Sequence, residues 1–172
     1  TVTPMTDATI ISARALANTR RTVQSYEGFA REYDKLCSEQ LPADLEDALR
    51  RMVQCVPVGG TVLEIGSGPG READFVESLG AVVRRTDAAQ AFLDVQAERP
   101  NGVTDELGGP YNAVLALCVL IHVDREQIDP VLRKVWRALK PGGAFLVSMR
   151  TGEGETSGNY HTVYWTRDRF AA

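Results

Sequence analysis

One stretch constrains this chain more than any other: Thr61 to Ile65, followed at once by Gly66-Ser67-Gly68-Pro69-Gly70. The first part is short, mostly apolar and rich in β-branched residues. Gly59-Gly60 and Gly66 bound it, which predicts a strand covered on both faces, as in a parallel sheet. Three glycines at alternate positions can take positive φ and leave the backbone bare to a ligand. From Glu72 to Leu79, the apolar residues Ala73, Val76 and Leu79 share one helical face, and Gly80 stands where a C-terminal cap belongs. The start of that helix points free N–H groups at the loop.

The spacing of the glycines narrows the ligand. A dinucleotide fingerprint counted from Gly66 and Gly68 needs glycine at position 71, where Arg71 stands. A P-loop needs Gly-Lys-Ser/Thr after the glycines, and none follows. What remains is an acid, Glu64, then one residue, then glycine at 66, 68 and 70. A bare strand-to-helix turn and a nicotinamide or flavin site stay open as alternatives at this point.

The length of 172 residues predicts one domain. A net charge of −4 without a polybasic block argues against nucleic acid or an anionic membrane as the main partner. No apolar stretch reaches the ~18 residues of a membrane-spanning helix, and no secretory signal is visible. Cys37, Cys55 and Cys118 are scattered, odd in number and without metal-ligand spacing, so a reduced, cytoplasmic protein is expected.

Apolar periodicity lays out the rest. Ile10 to Cys37 reads as helix, either continuous or divided in two at Gly28. Asp44 to Val56 reads as a second amphipathic helix. Further strands are expected at Ala81–Thr86, Val114–Leu120 and Ala144–Met149, and further helices at Ala88–Ala97 and Arg125–Lys140. Ile128, Val131, Leu132, Val135, Trp136 and Leu139 form one stripe on the last of these, and Pro141-Gly142-Gly143 is expected to stop it. Alternating strand and helix predict an α/β fold, a doubly wound and mostly parallel sheet.

The acid-x-Gly-x-Gly-x-Gly run resembles motif I of the class I S-adenosylmethionine-dependent methyltransferases, and about a hundred following residues keep up the resemblance. It implies a Rossmann-like methyltransferase domain over residues 1–172: a helical lid at 1–40, a cofactor core at 41–150, and the start of a C-terminal part at 151–172. The family pattern also places a third strand between Ala97 and Tyr111, where residues are few. It continues beyond a last helix with an antiparallel strand pair, so terminal strands are expected to be missing or truncated here. Tyr111-Asn112-Ala113-Val114 matches the family's entry into strand four, with Asn112 in place of the usual Asp.

The same resemblance implies S-adenosylmethionine as cofactor and assigns residues to it. Glu64 orients the methionine end, with Gly66, Ser67, Gly68 and Gly70 as the loop. Asp87, ending the second strand with Ala88 after it, accepts the ribose hydroxyls. An N-cap role is the plainer reading of Asp87. Asp105 reaches the adenine amino group, and the backbone carbonyl of Cys118 faces the methionine ammonium. Tyr26 and Tyr33, seven apart on one helical face, contact the cofactor from the lid or simply pack on the sheet. His122 is the candidate general base, with a helix-capping role as its alternative. His161, Tyr160, Tyr164 and Trp165 are assigned to a substrate loop.

The expected activity is methyl transfer to a small-molecule acceptor through an O, N or C nucleophile, by a monomer or homodimer and without a metal. Methylation of RNA or protein, and binding of the cofactor without catalysis, are the alternatives.

Overall fold

The computed structural model describes residues 11–37, 40–93 and 107–171, excepting the side chains at 90 and 93. Four parallel strands form the central sheet: β1 (Thr61–Ile65), β2 (Val82–Thr86), β3 (Tyr111–Leu117) and β4 (Leu139–Ser148), in the order β2-β1-β3-β4. The chain moves outward from β1 to β2 and then crosses to the other side of β1. The C-terminal ends of β1 and β3 therefore flank the switch point, the place where open α/β sheets hold ligands.

Both faces of the sheet are covered, as the β1 composition predicts. Leu63, Ile65, Val114 and Ala116 pack with Ile128, Val131 and Val135 of α5 (Arg125–Ala138). The alternate residues Val62, Ala113 and Leu115 face the other way. They pack with Leu49 and Met52 of α2 (Ala43–Val53) and with Ala73 and Val76 of α3 (Arg71–Ser78). Gly80 follows α3 at φ 96°, the expected left-handed stop.

Helix α1 (Ala13–Leu36) lies over the C-terminal ends of the strands. Ser12 caps it by accepting from the Ala15 N–H at 3.1 Å. Of the two readings at Gly28 the continuous one holds, and α1 is one helix of 24 residues. A mid-helix glycine costs only about 1 kcal/mol against alanine, and packing along the inner face of α1 offsets it. Ala30 packs with Ala89 and Phe92 next to the short helix α4 (Gln90–Leu93), whose Ala91 N–H is accepted by Glu27 at 2.9 Å.

Two strand limits differ from expectation. β3 ends at Leu117, not Leu120; Cys118 turns the chain at φ 51°, and residues Leu120–His122 form a 3₁₀ turn. β4 begins at Leu139, directly after α5. Two steps along β3, Tyr111 to Ala113, face five along β4, Leu139 to Ala144, so Pro141-Gly142-Gly143 lies in a bulge. Asn112 works at the opposite edge from the switch point. Its side-chain oxygen accepts from the Thr61 N–H and from Lys140 Nζ, each at 3.0 Å, tying the starts of three strands together.

After β4 come a small antiparallel hairpin, β5 (Glu155–Ser157) with β6 (His161–Val163), and α6 (Arg167–Ala171). The terminal pair of the family pattern is not among the described elements. The third strand expected before Tyr111, the distal part of the helix after Ala88, and Asp105 lie outside the described residues.

Candidate active site

The ends of all four parallel strands and the inner face of α1 enclose a cavity of about 320 Å³, within the range of small-ligand pockets. Ile65, Gly66 and Gly68 come from the end of β1, Asp87 to Ala89 from β2, Leu117 to Val123 from β3, and Arg150 from β4. Thr19, Thr22, Val23, Tyr26 and Tyr33 form the roof.

The loop end is made largely of backbone. Gly66, at φ 72°, packs so closely on Val119 that an added Cβ would stand 2.6 Å from its Cγ2. Gly68, at φ 50°, has open space where its Cβ would be, and that space belongs to the cavity. Gly70, at φ 89°, is the N-cap of α3. The Ser67 N–H donates to the Thr86 carbonyl at 2.8 Å, and Thr86 Oγ1 donates to the Glu64 carbonyl at 2.7 Å, so the ends of β1 and β2 are locked together. Asp87 then accepts from the Gly68 N–H through Oδ2 and from the Ala89 N–H through Oδ1, both at 2.9 Å. Each oxygen keeps acceptor capacity on the cavity side. Burial pushes the Asp87 carboxyl up from its ordinary value, and these backbone bonds pull it back.

Glu64 is 4% exposed and lies behind the loop. Burial, with the Glu72 charge adding to it and Arg85 opposing, pushes its carboxyl up to about 8. Its Oε2 has no hydrogen-bond partner among the described residues, nor does the buried Ser67 Oγ. An orphaned buried carboxylate oxygen beside an open glycine cradle suits a ligand carrying an ammonium group.

The helix end is made of side chains. His122 Nδ1 lies 2.6 Å from the His161 carbonyl, which can only accept, so Nδ1 carries the proton. Nε2 is then a lone-pair acceptor, and the Tyr26 hydroxyl donates to it at 3.0 Å. Burial lowers the His122 pKa below its ordinary value, against the raising effect of the His161 carbonyl, and the Arg150 and His161 charges lower it further. Burial likewise raises the Tyr26 pKa and keeps its hydroxyl protonated. Tyr26 stacks on Tyr160 at 4.7 Å and meets Tyr33 edge-on at 6.1 Å; Phe92 lies 5.8 Å from Tyr33. Cys118 lines the cavity in a left-handed conformation, held by Ser148, whose Oγ and carbonyl accept its N–H at 2.9 and 3.2 Å.

The His161 side chain does not enter the cavity. It is 1% exposed and contacts Ser157 and Asp124 instead. Asp124, His161 and Glu155 bring their ligating atoms within 4.8 Å of one another, a cluster that sequence spacing conceals. The Arg14 guanidinium already pairs with both acids there, at 3.3 and 2.9 Å. Trp165 packs in the core, with Arg125 over its ring at 4.5 Å.

Of the residues assigned from sequence, Tyr26, Tyr33, Gly66, Gly68, Asp87, Ala88, Cys118 and His122 meet around the cavity. Glu64, near the end of β1, and Ser67 and Gly70 of the loop are not among the lining residues. Missed were Thr19, Thr22, Val23, Phe92, Val119 and Arg150. The first three extend the Tyr26–Tyr33 stripe back along α1 at helical spacing, a signal present in the sequence.

Comparison with known proteins agrees with this geometry. A family described as a methyltransferase domain matches residues 37–170. The arsenite methyltransferase of Aquipseudomonas alcaligenes is 32% identical over 114 residues, which is 52% of this chain and 32% of that protein. The chain thus spans about a third of the length of this curated relative. The 1,6-didemethyltoxoflavin-N1-methyltransferase of Burkholderia thailandensis, solved with 1,6-didemethyltoxoflavin and S-adenosylhomocysteine, superposes with a TM-score of 0.71 at 16% identity, over 96% of this chain and 78% of that one. The CcbJ methyltransferase of Streptomyces caelestis superposes with a TM-score of 0.59 at 27% identity, over 74% of this chain and 60% of its own. The chain belongs to the methyltransferase-domain family and has the fold of the class I S-adenosylmethionine-dependent methyltransferases.

Proposed function

We propose that this protein transfers the methyl group of S-adenosylmethionine to a small-molecule acceptor held between the strand ends and α1. One observation carries the reading: Asp87, fixed by the Gly68 and Ala89 N–H groups, borders the open cradle at Gly68, with orphaned Glu64 Oε2 behind it. A ribose diol suits the free acceptor positions of Asp87, and the methionine ammonium suits Glu64. Tyr26, Tyr33 and Phe92 wall the cavity with aromatic rings.

When bound, S-adenosylmethionine supplies a methyl group already activated on a sulfonium. The protein's work is then to align the acceptor and to remove its proton. His122 is suited to that second task, because its Nε2 lone pair faces the cavity and its lowered pKa keeps the ring neutral at physiological pH. An acceptor hydroxyl or amine that takes the place of the Tyr26 hydroxyl at Nε2 delivers its proton there. The roof formed by α1 and a net charge of −4 favour a small acceptor over RNA or protein.

The test is calorimetric titration of the protein with S-adenosylmethionine, S-adenosylhomocysteine and NAD. The two adenosyl ligands are expected to bind and NAD is not. Asp87→Ala is expected to weaken the adenosyl ligands by about 1.5–3 kcal/mol for each charge-assisted bond lost. Binding of NAD alone, or unchanged affinity in Asp87→Ala, contradicts the proposal.

A further inference from the structure

Arg150 stands two residues beyond the end of β4, on the ligand edge of the sheet, and contributes to the cavity wall. Its backbone is pinned: its carbonyl accepts the Trp165 N–H at 3.0 Å, and Thr151 bridges to Trp165. Among the described residues, its guanidinium makes no ion pair and no hydrogen bond. Other arginines of the fold are engaged. Arg14 pairs with Asp124 and Glu155, Arg85 with Asp74 and Glu77, and Arg125 donates to the Gly154 and Tyr164 carbonyls. The exposed Arg150 thus brings to the cavity a positive charge that meets no counter-charge among the described residues.

The position of that charge is informative. Arg150 follows Ser148, which pairs with Leu117 of β3 and accepts the Cys118 N–H, so Arg150 stands beside the β3 end that leads to His122. Among the described residues, the carboxylate that lines the cavity is Asp87, at the loop end and held by backbone N–H groups. The same lining includes Tyr26, Leu120, Ile121 and His122, none of them an anion. A guanidinium presents a planar fork of donors that matches a carboxylate or phosphonate oxyanion in bidentate fashion. Arg150 is exposed, so such a pair draws on the planar geometry of the fork rather than on a desolvated site.

We propose that the methyl acceptor is an anion, whose carboxylate or phosphonate group pairs with Arg150 and so turns its nucleophile towards His122 Nε2. This rests on the methyltransferase reading above and adds to it the chemical class of the acceptor. Arg150 is thereby the residue that selects the acceptor, and it takes no part in holding the cofactor.

The experiment uses the protein saturated with S-adenosylhomocysteine and two matched pairs of probes: benzoate with benzamide, and phenylphosphonate with its dimethyl ester. Affinities are read by ligand-observed NMR titration. Each anion is expected to bind at least about tenfold more tightly than its neutral partner. Arg150→Gln is expected to erase that preference with S-adenosylhomocysteine affinity unchanged, and Arg150→Lys to keep part of it. The stronger of the two anions identifies the acceptor group. Equal binding of anion and neutral partner, no binding of either anion, or a preference that survives in Arg150→Gln overturns the proposal and leaves the cofactor reading standing. Failure of S-adenosylhomocysteine itself to bind overturns both, and that result is distinct from the others.

Discussion

The two ends of the cavity are built on different principles. The loop end comes from residues 64–70 and 86–89, two short stretches joined by the Ser67 N–H on the Thr86 carbonyl and the Gly68 N–H on the Asp87 carboxylate. The helix end gathers Tyr26, His122, Arg150 and Tyr160 from four separate parts of the chain, and it depends on side-chain contacts. A backbone-built subsite tolerates change in most side chains and fixes one ligand shape. A side-chain-built subsite alters with single substitutions. The difference fits a common cofactor at one end and a chain-specific acceptor at the other.

Substitution of His122 is the strongest test of that division. His122→Ala is expected to lower kcat about 10²–10⁴-fold, the usual worth of a positioned base, and to leave cofactor affinity intact. The wild-type pH profile should carry an acid limb, because only neutral His122 accepts a proton. Burial places its pKa below 6.5, so turnover falls as pH drops through that lower value, and the limb should vanish in the variant. Steady-state kinetics across pH beside a cofactor titration checks this. Loss of cofactor affinity as severe as that in Asp87→Ala would dissolve the distinction between the two ends.

The same division explains what the sequence made readable. Glycine spacing at 66, 68 and 70 and the acid at the end of β2 are local signals, because the loop's geometry is fixed within a few residues. The His122–Tyr26 pair joins positions 96 apart, and no periodicity encodes that distance. The strand expected to run to Leu120 shows a subtler limit. Leu117, Val119, Leu120 and Ile121 are apolar because they line the cavity, and apolar runs do not distinguish cavity wall from strand. Only the left-handed turn at Cys118 separates the two, and a cysteine there carries no turn signal.

Glu64 tests whether the loop end is poised for a cation. Its folded pKa of about 8 lies above the ordinary 4.5, so the folded state holds a proton that the unfolded chain has released. Stability therefore falls as pH rises from 4.5 towards 8. Glu64→Gln should remove this slope and stabilise the ligand-free protein by roughly 3 kcal/mol near pH 7. The same variant should bind S-adenosylmethionine more weakly. Urea unfolding at several pH values reads the first effect. The wild type should also release a proton on cofactor binding at pH 7, which calorimetry in two buffers of different ionisation enthalpy detects. A parallel pH dependence of stability in wild type and variant would show that Glu64 is already ionised without ligand.

The smallest effect concerns the roof. Gly28 lies within α1, its φ is not left-handed, and an added Cβ would meet no atom within 4 Å. Alanine there narrows the unfolded ensemble without a clash, so Gly28→Ala should stabilise the protein by about 0.5–1 kcal/mol. That increment bears on the helix end alone, because α1 carries Thr19, Thr22, Val23, Tyr26 and Tyr33 to the cavity. If α1 is fully formed before ligands bind, the variant raises Tm and changes neither cofactor nor acceptor affinity. If part of the helix orders only over the bound acceptor, the gain appears as tighter acceptor binding, because less ordering remains to be done on binding. Comparing thermal unfolding with acceptor titration in this one variant tells a rigid roof from one completed by its ligand.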